Sequence, residues 1–303
     1  MQSLAQEVWR IRPEHTNPGA TVGELAWEFG TGNRREGDAW LQKLWLDGEA
    51  ATGCPLAWGW IFAPMETRLS DTEHRTEPPT LDWQVHPDNP ELLDEVLDWF
   101  DAQCPDAVRQ TSTQQANVDA LTRLQRHGYE HDPDAPWGMR NIRDLDDIET
   151  PQLPDGYRAL TMREIGSDAV SVARRVEAHR VAWEPSRLTV EAYQDVMATP
   201  PYRDDLDFVI EAPDATLVAS GIGWYDEANH VAEFEPVGTH PDYRRRGLGR
   251  ALSLFGMQRF RDAGARQAIV GCRGDDNYPI PKKLYRSVGF RELTRELWFV
   301  KNS

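Results

Sequence analysis

The chain has 303 residues, 40% hydrophobic and 27% charged, with a formal net charge of −17, which suits about two ordinary domains and excludes nucleic acid or anionic membrane as natural partners, since phosphate would be repelled. No apolar run reaches the ~20 residues of a membrane span, and the opening MQSLAQEVWRIR lacks a signal-peptide apolar core. Cys54, Cys104 and Cys272 are widely spaced, fit reduced thiols and have no metal-ligand spacing, so a cytoplasmic protein without a metal centre is expected.

The N-terminal half begins with VWRIR in the place of an opening strand and a Trp-rich region. QKLWLDGE, LAWGWIF and TLDWQVH follow as strand-like runs. Leu93, Val96, Leu97 and Phe100 then mark one face of a helix, before VRQTST and the helical VDALTRLQRHGY. Nine of the twelve tryptophans precede residue 138, and among strands and helix faces they read as core.

DLDDIETPQLPDGY (144–157) is acidic, carries two prolines and has no period, so it reads as a linker. Beyond it, YRALTM opens with a strand, SDAVSVARRVEAHRVAW and TVEAYQDVMA are helical, and Thr189 caps the second. LDFVIEA, TLVASGIGWY and HVAEFEPVGTH are strands, and a helix runs from Gly247 to a stop at Gly264. QAIVGC, PKKLYRSVG and ELTRELWFV complete a strand–helix–strand close. The element order occurs twice, which implies a tandem duplication with domains at 1–145 and 155–303 joined by 146–154.

THPDYRRRGLGRAL (239–252) sets four arginines and two glycines into an acidic chain, between a strand and a helix. Glycines there let the backbone approach a ligand, and the free N–H groups of the helix's first turn form an anion site. The natural ligand is a pyrophosphate. A P-loop lysine is absent, and Leu252 stands where a dinucleotide loop needs its third glycine, leaving Arg-x-x-Gly-x-Gly.

With VGTHPDY before it and LYRSVGF some forty residues later, this pattern resembles the GNAT superfamily of N-acetyltransferases across residues 155–303. The doubled layout is similar to the tandem arrangement of mycothiol synthase-like proteins. The resemblance implies an α/β (α+β) fold of two GNAT-type domains, each a mixed, mostly antiparallel sheet flanked by helices. It also implies acetyl-CoA as co-substrate, its pyrophosphate held around Arg244, Arg245, Arg246, Gly247, Leu248, Gly249 and Arg250. Val237, Gly238 and Thr239 would hold the thioester carbonyl and pantetheine arm. The family's asparagine, seven residues before its tyrosine, is replaced by Tyr278, with Asn277 one step away as the substitute. In the first half WQVHPDNPELLDEV keeps His86-Pro87 but loses the glycines and arginines, and Leu124 takes the place of Tyr285, so that half is expected to be non-catalytic.

Acyl transfer to an amine needs a base for the ammonium proton and a donor for the departing thiolate. Glu233 and Glu235 lie two apart on the strand before the loop, so in a regular strand they share a face, among apolar neighbours that raise a carboxylate's pKa. The family's spacing selects Glu233 as base, with Glu235 second or as a ligand for the amine cation. Tyr285 matches the family's proton donor. Trp183, Trp224 and Tyr225 are the candidate acceptor contacts.

The leading expectation is an acetyl-CoA-dependent N-acetyltransferase acting on a small-molecule amine, as monomer or homodimer. The alternatives are a non-catalytic acyl-CoA-binding sensor and an aminoacyl or longer-chain acyltransferase.

Overall fold

The structure is a computed structural model that describes the chain apart from residues 50, 51 and 69–73. Two helices open it, α1 (Gln2–Ile11) and α2 (Val22–Glu36). Strands β1 (Leu41–Leu46), β2 (Pro55–Phe62), β3 (Met65–Arg68), β4 (His74–Glu77) and β5 (Thr80–Val85) follow. Helix α3 (Leu92–Gln103), β6 (Arg109–Gln114), α4 (Val118–Arg126), β7 (Glu130–His131) and β8 (Gly138–Asp144) complete the first half. The second half starts with β9 (Arg158–Thr161), α5 (Met162–Ile165), α6 (Ala169–Ala182) and α7 (Val190–Met197). Then come β10 (Asp207–Glu211), β11 (Leu217–Asp226), β12 (Val231–Thr239) and α8 (Leu248–Asp262). It ends with β13 (Gln267–Arg273), α9 (Ile280–Ser287) and β14 (Arg291–Lys301).

VWRIR is the end of helix α1, not a strand. Leu4, Ala5, Val8 and Trp9 are buried, spaced as one face of a 3.6-residue period. The first half therefore reaches its sheet only at β1. The tryptophans expected in the core are largely there: Trp58, Trp60 and Trp83 are almost fully buried.

Among the described residues twelve strands form one sheet in the order β1-β2-β5-β6-β14-β8-β13-β12-β11-β10-β9, with β7 on β14. Its centre is an exchange. β14, from the chain's end, lies between β6 and β8, and β8, from the first half, lies between β14 and β13. The expected division at 146–154 follows the chain but is not a break in the sheet. Each half lends its last strand to the other, so no unpaired edge is left where the halves meet. The linker is itself anchored, with Ile148 and Leu153 against the second half's core and Glu149 bonded to Arg250.

Separate apolar cores fill the two halves, one around Phe208, Phe234 and Phe260, the other around Trp83, Leu97 and Phe100. A third crosses between them: Ala26 of α2 packs with Val176, Tyr193 and Val196 of α6 and α7 and with Trp224 of β11. At Gly30 an added Cβ would lie 2.6 Å from Val196, so a glycine permits α2 to approach α7 closely. Helix α2 thus belongs to the first half in sequence and lies against the second half's sheet. Among the described residues no helix is long and apolar enough to cross a membrane.

Candidate active site

The site begins where two parallel strands part. β12 and β13 are paired from Val231 opposite Gln267 to Phe234 opposite Val270. Beyond that, β12 keeps β11, through Val237, Gly238 and Thr239, while β13 keeps β8, with which it is paired from Gln267 to Arg273. A gap opens between residues 237–239 and 271–273, where β12 is no longer paired with β13 and leaves an edge that an extended ligand can pair with. An added Cβ at Gly238 would come within 2.7 Å of Ala182 and 2.8 Å of the Trp183 indole, so glycine lets the end of α6 cross the gap here. Trp183 is 49% exposed and stacks on His179, which in turn meets Trp27.

Next to the gap lies the arginine–glycine loop. Gly247 is the N-cap of α8 with φ +79°, and nothing lies within 4 Å of where its Cβ would be. The first intrahelical bond found there is from the Ala251 amide to the Gly247 carbonyl, so the amides of Leu248, Gly249 and Arg250 precede it unpartnered within the helix. Leu248 is buried, so it offers its backbone only. A Cβ added at Gly249 would lie 3.4 Å from Thr239 Oγ1, so loop and gap adjoin here. These features fit a diphosphate at the helix end. The arginines are not equivalent. Arg244 reaches the Thr239 carbonyl, Arg246 bonds to Tyr157 and the Asp242 carbonyl and lies over Tyr243, and Arg250 is paired with Glu149. Arg245, exposed at φ +62°, extends from the loop. Asn277 is exposed in a turn whose amide bonds to Asp275.

Glu233 is buried. Its Oε2 accepts a 2.5 Å hydrogen bond from Thr21 Oγ1, and its Oε1 lies 3.9 Å from Arg140. Burial first, then the negative charge of Glu24, raise its pKa to about 7 against the pull of Arg140 and Thr21. The pairing of β11 and β12 slips by one residue after Phe234, so Glu235 sits in a bulge. The expected common face is therefore interrupted. Glu233 borders a hollow of about 30 Å³ beside Thr21 and Trp224, whereas Glu235 borders a cavity of about 720 Å³ with Glu24, Arg140, Cys272 and Glu296. Burial and the charges of Glu24, Glu233 and Glu28 hold Glu235 well above the carboxylate range. Tyr285 is buried among core residues, and burial, Glu235 and Cys272 together push its phenol far up, which keeps it protonated.

Two candidate acceptor contacts are displaced from this cavity. Trp224 is 1% exposed, and its indole donates a 2.6 Å bond to the Glu235 carbonyl; it positions the bulge from within the core. Tyr225, next along the strand, points the other way, to His230, Arg203 and Gly264, because strand side chains alternate. Sequence reasoning overlooked Thr21, Glu24 and Arg140, which come from the half expected to be non-catalytic. TVGE at 21–24 has the Ser/Thr-x-x-Glu form of a helix start, and Thr21 does cap α2 by accepting from the Glu24 amide. Nothing in GMRNIRD distinguishes Arg140.

Residues 174–290 match the family model of the acetyltransferase (GNAT) family. The C-terminal half of the chain is thus similar to the GNAT acetyltransferases. The GNAT-matching region contains β12, the Arg–Gly loop and Tyr285. The chain is 30% identical over 164 residues to the mycothiol acetyltransferase of Saccharomonospora viridis, covering 50% of this chain and 52% of that one. It is also 30% identical over 158 residues to that of Actinosynnema mirum, covering 51% and 50%. It thus spans about half the length of these curated relatives. A solved tandem GNAT protein from the clavulanic acid biosynthesis pathway superposes with TM-score 0.62 at 14% identity, covering 99% of this chain and 93% of that one. A GCN5-related N-acetyltransferase from Sphaerobacter thermophilus superposes with TM-score 0.60 at 18% identity, covering 82% and 77%. Both likenesses bear on the fold alone, and the first is to a tandem GNAT protein.

Proposed function

We propose that the protein transfers an acetyl group from acetyl-CoA to the amine of a small molecule, with chemistry at the C-terminal unit and the N-terminal unit completing the acceptor cavity. The observation that carries this reading is that Glu235 faces the large cavity while its charge also bears on Tyr285. The base and donor candidates are thus within electrostatic reach of each other.

An alkyl ammonium with pKa near ~10 is about one part in a thousand free base at neutral pH, a barrier of about 4 kcal/mol unless a base takes the proton. An ordinary carboxylate is too weak a base for this. Glu233, Glu235 and Glu24 repel one another in a low-dielectric setting and are stronger bases than a solvated carboxylate. They titrate as a unit. Glu235 is the member that borders the large cavity, so it receives the amine proton; Glu233, tied to Thr21 and near Arg140, positions it. This reverses the order of the two expected from family spacing alone.

The amides of Leu248, Gly249 and Arg250 with Arg245 would hold the diphosphate, and the open edge of residues 237–239 the pantetheine arm. Bound acetyl-CoA supplies an activated acyl group as a thioester. Tyr285 donates a hydrogen bond to the departing sulfur. Full proton transfer from a phenol near 10 to a thiolate near 8.5 is uphill by about 2 kcal/mol even before the tyrosine is buried, so its role is to stabilise developing charge.

Calorimetric titration with acetyl-CoA and thiol release across a panel of primary amines test the proposal. Saturable acetyl-CoA binding with amine-dependent thiol release is expected. Absence of acetyl-CoA binding by the folded protein would overturn it, and binding with no release for any amine would leave a sensor of acyl-CoA.

A further inference from the structure

The cavity at Glu235 continues into a second space. Its lining residues Glu77, Gln110 and Trp298 also line an adjoining hollow of about 850 Å³. Helix α2 places Glu24 in the first space and Glu28, one turn on, in the second. Asp82 of β5 joins Glu28, and Glu296 of β14 joins Glu24 and Glu235.

The neighbouring cations do not neutralise the second space. Arg35 and Arg187, which line it, both bond to Glu36, at 2.8 and 2.6 Å. Arg140, in the first space, lies near Glu233 and donates to the Asn17 carbonyl. Independently, Gln114 is 1% exposed in the wall of the first space and donates to the Thr16 carbonyl, while its Oε1 has no partner among the described residues. A buried acceptor without a donor costs about 1–3 kcal/mol, and a ligand N–H would satisfy it. Trp298, Trp40 and Phe62 line the passage and the second space, giving apolar and π surface for methylenes and ammonium groups.

We propose that the acceptor is a linear oligoamine with at least two ammonium groups, one amine presented at Glu235 and a second held between Glu28 and Asp82. This rests on the acetyltransferase reading and narrows its substrate class. Burial and the charges of Glu24 and Glu36 raise Glu28 to about 7 against a weak pull from Arg35. Burial and the charges of Glu28, Glu296 and Glu24 hold Asp82 well above its usual range. A cation lying between the two favours their ionised forms, so oligoamine binding releases protons to the buffer.

The experiment titrates the full chain by calorimetry with n-butylamine and with spermidine, in phosphate and in Tris, and repeats both with Asp82→Asn/Glu28→Gln. Spermidine is expected to bind at least tenfold more tightly than n-butylamine, with net proton release seen as a buffer-dependent enthalpy. The double variant is expected to lose that advantage while binding acetyl-CoA as before, which also shows that it is folded. If that variant fails to bind acetyl-CoA, Glu28→Gln alone serves, with at least a threefold loss expected for spermidine only. Equal affinity for the two amines, or an advantage that survives both variants, overturns the inference. The acetyltransferase reading fails separately, by absence of acetyl-CoA binding or of thiol release with any amine.

Discussion

Thr21 Oγ1 donates a 2.5 Å hydrogen bond to Glu233 Oε2 across 212 positions of sequence, while accepting one from the Glu24 amide. One hydroxyl therefore both starts helix α2 and holds a buried carboxylate of the C-terminal half. Thr21→Val keeps the shape and removes both bonds. Losing the cap should cost about 1 kcal/mol of stability. Losing the donor should raise the Glu233 pKa further, since that bond lowers it. A thermal melt together with the pH profile of kcat/KM checks this: the acid limb moves to higher pH in Thr21→Val and returns in Thr21→Ser. An unmoved limb would confine Thr21 to capping.

Raised carboxylates make stability depend on pH in a defined direction. Glu28, Glu233 and Glu296 are each held at about 7 in the fold, chiefly by burial, against 4.5 ordinarily. Between those values the native state binds more protons than the unfolded one, so these groups make stability fall as pH rises. His179 acts oppositely: burial and Arg175 lower it to about 3 from 6.5, so stability rises with pH across that interval. The two effects oppose each other between 4.5 and 6.5, and above 6.5 the carboxylates are opposed only by the N-terminal amine of Met1 among these groups, which burial lowers from 8.0. The melting temperature should drop from pH 6.5 to 7.5, and Glu296→Gln should flatten that drop; an equally steep drop in the variant would discount Glu296.

Tyr285 packs among buried residues and meets Phe290 edge-on. Tyr285→Phe retains that volume and removes only the hydroxyl. We expect kcat to fall about 100-fold with acetyl-CoA affinity within twofold of the parent. Unchanged kcat would remove Tyr285 from the reaction.

Gly247 and Gly238 are glycines for different reasons, and alanine separates them. At Gly247 there is ample space but φ is +79°, so Gly247→Ala pays only the left-handed penalty of about 1 kcal/mol. Its main effect should be on the amides that follow, read as acetyl-CoA affinity weakened at least tenfold with the melting temperature little changed. At Gly238 the backbone conformation is unexceptional, but an added Cβ falls 2.7 Å from Ala182. Gly238→Ala should lower the melting temperature as well as the affinity.

Local chemistry made much of this protein legible in its sequence. The Arg-x-x-Gly-x-Gly stretch specifies a left-handed turn, a helix start and free amides through neighbouring residues alone, and periodicity placed β12, α8 and α9 close to where they lie. VWRIR misled because five residues cannot distinguish the two periods, and only the longer run from Leu4 to Trp9 shows the helical face. Trp224 and Tyr225 had the right residue types in the right strand, but which of them meets the core depends on the sheet's sidedness.

Tertiary structure alone decided which residues meet across the two halves. The exchange of β8 and β14, the docking of α2 on α7, and the gathering of Glu24, Glu28 and Asp82 around the cavity all join segments far apart in sequence. The bulge that sends Glu235 to the cavity and Glu233 to Thr21 is of the same kind. The physical reason is that burial and Coulomb interactions depend on distance in space: a carboxylate's basicity here is set by charges on other strands and helices, to which its own neighbours in sequence give no access.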